Sequence, residues 1–352
     1  MKLEAKASPV HELINFTKGV SSVYVLIYGN VDPDALGSAW ALKELLKTRD
    51  IAVKIGYTGK VGRLQNQAMI NSLKIPVGPV SKEELLSAEK IAIVDAQPEF
   101  FKDYELPRFD IVIDHHPRKS DKVTDFSDIR SKCLATASIL TEYLLEAKVK
   151  VDKRLATALY YGIQVDMKGL RRSATDVDRK ALEYLDSRVD HNLLRRLELS
   201  QYSLNGLDYF AIALAKRRYA KNRIYTHLGS IPMADICAQI ADFFISVQDI
   251  HWAIVSGVVN RTLVIVFRSD GRDKNAGELA QVAFGEIGSS GGHKTMGRAE
   301  IDAKYFTKID LTQNEKFEKI IIESLARVDR SFIPLVKILP GDDLSFNKFS
   351  SF

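Results

Sequence analysis

Four short apolar runs in the first half of the chain, residues 23–28, 51–57, 90–94 and 111–113, alternate with segments of helical period at 35–48, 65–73 and 135–145. Short β-branched runs alternating with helical segments predict βαβ units and a parallel sheet. In such sheets the loops at the carboxyl ends of the strands gather polar groups over a rigid scaffold, and ligands bind there. A chain of 352 residues is about twice a usual domain. Residues 176–222 read as two or three amphipathic helices rich in Leu, Arg and Tyr, which form a connector. From Arg223 a new α+β pattern begins, with strands at 224–228, 251–259 and 262–268 and helices at 233–244 and 276–284. The expected organisation is α/β overall: a parallel-sheet domain over 1–190, a helical connector over 191–224, and a smaller α+β domain over 225–345.

The charge balance of 50 Lys+Arg against 45 Asp+Glu gives +5, compatible with a polyanionic substrate but too small for a protein that coats duplexes. The longest apolar stretches fall far short of the roughly 20 residues that span a bilayer. The first 22 residues carry Lys2, Glu4, Lys6, His11 and Glu12 and no apolar core, so no secretory signal is read and a cytoplasmic location is expected. Cys133 and Cys237 lack any C-x-x-C spacing and read as small buried apolar residues.

Four acidic or histidine clusters carry the chemistry. Asp32-Pro33-Asp34 follows the first run, and Gly37-Ser38 opens a helix whose amides could meet an anion. Carboxylates at i and i+2 can each face one metal of a pair; an Asx turn with an N-cap aspartate is the equal alternative. Asp95 ends the run at 91–94, where it either binds a ligand or caps a turn. Asp114-His115-His116-Pro117 is sharper: two adjacent imidazoles behind a carboxylate supply a nitrogen ligand, a substrate-facing group and an orienting acid. Asp166 follows Gly162, which is read as ending a helix over 155–161. Carboxylates with imidazoles suit manganese or a related divalent ion rather than calcium or structural zinc. A metal pair about 4 Å apart activates a water and clamps the oxygens of a displacement at phosphorus, so the constellation points to phosphoryl hydrolysis.

The order Asp-x-Asp, Asp, Asp-His-His, Gly-Ile-x-x-Asp resembles the DHH phosphoesterase superfamily. Phe267-Arg268-Ser269 and Ser290-Gly291-Gly292-His293 resemble the Arg-Ser strand end and glycine-rich loop of the DHH-associated C-terminal domain. The resemblance is strongest to nanoRNases with phosphoadenosine-phosphate phosphatase activity and to cyclic di-AMP or dinucleotide phosphodiesterases. It implies a manganese pair, with Mg2+ or Co2+ as substitutes, in a cleft between the two domains. Asp32 would bind one metal and Asp34, His115 and Asp166 the other, with Asp95 bridging. Asp114 and His116 would be catalytic, His116 meeting the scissile phosphate or leaving group. Arg268, Ser269, Gly291, Gly292 and His293 would hold the far phosphate or base, and Arg171 would reach a substrate phosphate. The partner would be a short oligonucleotide or dinucleotide, and a homodimer is possible for such a chain.

The chain departs from that pattern in three places. Tyr28 stands where relatives carry a histidine ligand, and a neutral phenol is a poor ligand for a divalent ion, which leaves Asn30 or water to complete the first site. Asp166 is followed by Met167-Lys168 rather than Thr-Gly, and His293 by Lys294-Thr295-Met296-Gly297-Arg298, which adds cationic charge. The basic pairs at 195–196 and 216–218 read as solvated faces. Two further functions stay open: a degenerate member that binds a nucleotide without turnover, suggested by Tyr28, and a pyrophosphate or polyphosphate hydrolase.

Overall fold

The computed structural model describes residues 8–29, 31–101, 108–119, 124–169, 173–272, 274–306, 313–332 and 336–337. It divides into two compact units, Met1–Gln201 and Tyr202–Phe352. The span expected as a helical connector, 191–224, is divided between them: the helix His191–Leu199 lies in the first unit, and the helix Gly206–Lys216 with the strand Arg218–Ala220 and the start of the strand from Arg223 in the second.

The first unit runs α1 (Pro9–Phe16), β1 (Ser22–Ile27), α2 (Pro33–Lys47), β2 (Ala52–Tyr57), α3 (Leu64–Leu73), β3 (Val77–Pro79), α4 (Lys82–Ser87) and β4 (Lys90–Val94). After a 3-10 turn at Pro98–Phe101 come β5 (Ile111–Asp114), β6 (Phe126–Ile129), α5 (Thr136–Glu146), α6 (Lys153–Gly169), α7 (Asp176–Asp186) and α8 (His191–Leu199). All its strand pairs are parallel, in the order β3-β2-β1-β4-β5-β6. The central strands β1, β4 and β5 are buried along nearly their whole length, which is why they read as unbroken apolar runs. Alternate residues serve the two faces: Val23, Val25 and Ile27 join the larger core with α2 and α5, whereas Tyr24 and Leu26 join Ile91, Ile93, Val112 and Phe101. The strand order reverses direction between β1 and β4, and a crevice at such a switch point is where open sheets of this kind place their ligands.

The second unit contains α9 (Gly206–Lys216), β7 (Arg218–Ala220), β8 (Arg223–Ser230), α10 (Asp235–Ile245), β9 (Trp252–Val259), β10 (Thr262–Ser269), α11 (Ala276–Phe284), β11 (Ser289–Gly292), β12 (Met296–Asp302), α12 (Asn314–Val328) and β13 (Val336–Lys337). Its seven strands lie in the order β11-β12-β10-β9-β8-β7-β13, with only the β8–β9 pair parallel. Ile254, Ile265 and Phe267 pack with residues of α11 and α12, while Val255, Val264 and Val266 pack with residues of α10. No helix among the described residues is long and apolar enough to cross a membrane. Both cysteines are buried and free.

One expectation is corrected. The helix read as ending at Tyr161 continues through Gly162 to Gly169, so Asp166 stands on a helix rather than after one. Gly162 is there for contact, not as a stop. A Cβ on Gly162 would lie 2.9 Å from the Asp34 Cα, and one on Gly37 would lie 3.1 Å from the Ala158 carbonyl oxygen. The two glycines let α2 and α6 approach backbone to backbone, and that approach brings Asp166, one turn past Gly162, toward Asp34. Short elements such as β3, α4 and β6 went unread because three to six residues carry too little periodic signal.

Gly162→Ala is therefore expected to push α6 away from α2 and to lower stability by about 1–3 kcal/mol. A urea denaturation midpoint equal to that of the parent would contradict this account of the contact.

Candidate metal centre

Asp32 is the N-cap of α2, and its side chain accepts the Ala35 amide at 2.9 Å. It thus performs the capping role that sequence allowed, while burial and the nearby Asp166 raise its pKa. Two residues on, Asp34 is wholly buried. Its Oδ2 accepts the Thr136 amide and its Oδ1 the Ala137 amide, each at 2.7 Å, and Ser38 Oγ donates to Oδ1 at 3.3 Å. These donors are the first amides of α5, a partial positive charge facing the carboxylate. Desolvation still wins: burial first, then the Asp166 charge, pushes Asp34 up to about 7.

Asp95 follows β4 in the left-handed region, at φ 56°. Its own amide donates to the Ile113 carbonyl at 3.0 Å, and Thr136 Oγ1 donates to its Oδ1 at 3.0 Å. Burial, then Asp34 and Asp32, raises its pKa well above the usual carboxylate range.

The two histidines after β5 divide. His115 is buried, and its Nδ1 lies 3.4 Å from the Cys133 carbonyl, to which only an N–H can donate. That contact turns Nε2 toward Asp166 Oδ2 at 3.2 Å, Asp95 Oδ1 at 3.4 Å and Asp34 Oδ2 at 3.9 Å. Nε2 is nevertheless without a hydrogen bond of good geometry. Burial would lower its pKa, but Asp166, Asp34 and Asp114 outweigh it and hold His115 at about 9. His116 is 43% exposed; its Nδ1 lies 2.8 Å from Asp114 Oδ1 and its amide donates to the same oxygen at 3.2 Å. Asp114 also accepts Gln97 Nε2 at 2.7 Å. Burial opposes its charge, yet the His116 and Gln97 bonds win and lower its pKa.

The donor set fits a divalent cation. One ligand atom each from Asp34, His115 and Asp166, and likewise from Asp95, His115 and His116, lie within 4.8 Å of one another. A buried imidazole nitrogen without a hydrogen bond of good geometry, facing three carboxylates, is an arrangement that a cation would complete.

The structure thus brings Asp34, Asp95, Asp114, His115, His116 and Asp166 together, with Asp32 at the edge. In the second unit Ser269 Oγ donates to the Lys294 carbonyl at 3.1 Å, and the His293 carbonyl accepts the Gly277 amide at 3.0 Å. The end of β10 and the turn after Gly292 therefore meet at the start of α11. Gly292 stands at φ 145°, where a Cβ would lie 2.2 Å from the Met296 carbonyl oxygen. His293 is exposed, and Arg268 pairs with Asp242 at 2.5 Å. Arg171 and Asn30 lie outside the described residues. Sequence reading missed Gln97, two residues past Asp95, and Thr136, whose amide and hydroxyl serve Asp34 and Asp95. Neither belongs to a residue class that announces chemistry.

A parallel sheet of this order, with acids and histidines at its switch point, is an α/β domain built to bind a ligand at that crevice, and comparison with known proteins adds to the likeness. The DHH family, N-terminal domain, matches residues 24–163. An uncharacterized protein of Methanocaldococcus jannaschii is 34% identical over 302 residues, 86% of this chain, and the chain spans 62% of that relative's length. The bifunctional oligoribonuclease and PAP phosphatase NrnA of Mycoplasma genitalium is 22% identical over 85% of this chain and 94% of its own. An exopolyphosphatase-related protein from Bacteroides fragilis shares the fold, with a TM-score of 0.69 at 15% identity over 94% of this chain and 99% of its own. Residues 24–163 thus match the N-terminal domain of the DHH family, and the chain is similar to NrnA-type proteins along most of its length.

Asp34, raised from 3.8 to about 7, and His115, raised from 6.5 to about 9, both keep protons to higher pH when folded than when unfolded. What they contribute to metal-free stability is complete below the unfolded values and is lost as pH rises through the folded ones. A divalent cation replaces those protons. The rise in Tm on adding Mn2+ to chelated protein is thus expected to be larger at about pH 8.5 than at about pH 6, and absent in His115→Ala. Equal shifts at both pH values would refute the assignment.

Proposed function

We propose that this chain is a metal-dependent phosphoesterase that hydrolyses short oligonucleotides, dinucleotides or nucleotide phosphates, with manganese as the working ion. The observation that carries the reading is the His115 Nε2, buried without a hydrogen bond among Asp34, Asp95 and Asp166 and adjacent to an outward-facing His116. Asp34, Asp166 and His115 would hold one ion and Asp32 a second, with Asp95 bridging. Bound there, the cations would supply a hydroxide at neutral pH and neutralise the phosphate oxygens. The rest falls to the chain's own side chains. Asp114 fixes the His116 ring through Nδ1, so Nε2 is the nitrogen left to hydrogen-bond the phosphate or hand a proton to the leaving oxygen. Gln97 holds the other Asp114 oxygen and, through its Oε1, accepts the Lys119 amide at 2.8 Å, bracing the loop after β5.

Arg268, Ser269, Gly291, Gly292 and His293 form the proposed grip on the substrate's distal phosphate or base, and Arg171 a proposed phosphate contact. NrnA-type relatives are named for oligoribonuclease and PAP phosphatase activities, which supports nucleotide substrates over inorganic ones.

A second reading, nucleotide binding without turnover, draws on the position of Tyr28. Its ring packs at 5.6 Å from that of Phe100 and 5.0 Å from that of Phe101, so the residue at this position is engaged in an aromatic cluster.

The deciding experiment supplies purified protein with Mn2+ and, separately, linear diadenylate, cyclic di-AMP, phosphoadenosine phosphate, a pentanucleotide and inorganic polyphosphate. Turnover of a nucleotide is expected, and Asp95→Asn and His115→Ala are each expected to slow it by about 100-fold or more. Tight nucleotide binding with no product would favour the second reading. Turnover of polyphosphate alone would replace both.

A further inference from the structure

We propose that Tyr28 and Phe100 form the stacking platform for the nucleobase next to the phosphate under attack, so that this site selects nucleotide phosphates over base-free ones. The inference rests on the phosphoesterase reading and names what that site recognises.

Tyr28 stands immediately past β1, at the sheet's switch point, and is 37% exposed despite its aromatic ring. Its ring is not loose. It lies 5.6 Å from Phe100 at an interplanar angle of 31°, and meets Phe101 edge-on at 5.0 Å and 70°. Phe101 is buried and packs in turn on Phe109 at 5.0 Å, which anchors the group in the core. On its other side Phe100 reaches the His116 ring at 6.4 Å, and Lys119 Nζ lies 6.0 Å from the Phe100 centroid. A continuous aromatic strip thus runs from the core to the histidine proposed to meet the scissile phosphate.

Three features make this strip a recognition surface rather than spare core. It keeps a large ring partly in water, linked through Phe100 to the exposed His116, where a flat ligand can reach it. The rings are held by packing before any ligand arrives, so stacking on them costs little conformational freedom. A cation beside the strip favours an anionic, π-rich ligand over either property alone. Every base has a π-face, so a platform of this kind is tolerant of base identity and selects for the presence of a base. The same packing gives the position a use that does not require its phenol to reach a metal.

The test compares AMP with ribose 5-phosphate, which keeps the sugar and phosphate but lacks the base. Calorimetric binding in Mn2+ is measured for the parent, Tyr28→Ala and Tyr28→Phe, alongside diadenylate hydrolysis. The parent is expected to bind AMP about 5- to 100-fold more tightly than ribose 5-phosphate. Tyr28→Ala should lose that advantage with ribose 5-phosphate affinity unchanged, and Tyr28→Phe, which retains the ring and its packing, should keep it. Equal binding of the two ligands by the parent overturns the proposal. So does an equal loss for both in Tyr28→Ala, or a Phe variant as weak as the Ala variant, since the phenol oxygen would then be the active element. Hydrolysis of diadenylate without base discrimination would sink the platform and leave the phosphoesterase standing. Discrimination without hydrolysis would do the reverse.

Discussion

The first unit is organised around one unfavourable burial, that of the Asp34 carboxylate. Removed from water, it receives two backbone amides from the start of α5 and a hydroxyl from Ser38, yet these do not offset its desolvation. It also faces Asp95 and Asp166, so the pocket concentrates negative charge that only protons or a cation can relieve. The surrounding fold keeps this arrangement in place. The β1–α2 turn sets Asp34, the first turn of α5 binds it, and the glycine contact between α2 and α6 delivers Asp166 from the far side. A cation bound there would relieve the same desolvation and repulsion that raise these carboxyls.

The adjacent histidines show how strand geometry assigns chemistry. They are identical in type and consecutive in sequence, but one is buried and the other 43% exposed at the sheet's carboxyl edge. A carbonyl from the loop before α5 orients the buried ring, and Asp114 orients the exposed one. Asp114 itself, at the end of β5, is held by hydrogen bonds from His116 and Gln97.

In the second unit the glycine loop has a structural use beside its proposed one. The carbonyls of His293 and Lys294 accept the first amides of α11, which leaves that helix start already satisfied by the chain. Recognition there would depend on the side chains of Arg268 and His293 and on the loop's remaining groups, rather than on the helix terminus.

Much of this was legible from residues alone. The apolar runs of β1, β4 and β5 are continuous because both faces of a parallel sheet are covered, and the residues that follow them are polar because the strand ends are where the cover stops. Local order of that kind also made Asp32, Asp34, Asp95 and the Asp114-His115-His116 run visible as candidates. Tertiary structure alone decided the rest. Gly162 looked like a helix stop, since a missing side chain reads the same whether it breaks a helix or admits a neighbour, and only the packed α2 distinguishes the two. Gln97 and Thr136 are ordinary residues that the packing alone sets against Asp114 and against Asp34 and Asp95. Tyr28 read as a missing ligand, but its ring partners come from a 3-10 turn some seventy residues away, and no local pattern encodes a contact between distant segments. Sequence by itself therefore determined the long apolar strands and which groups stand at their ends. Which of those groups face one another, and in what protonation state, followed only from the packing, because distance and desolvation are properties of the folded chain.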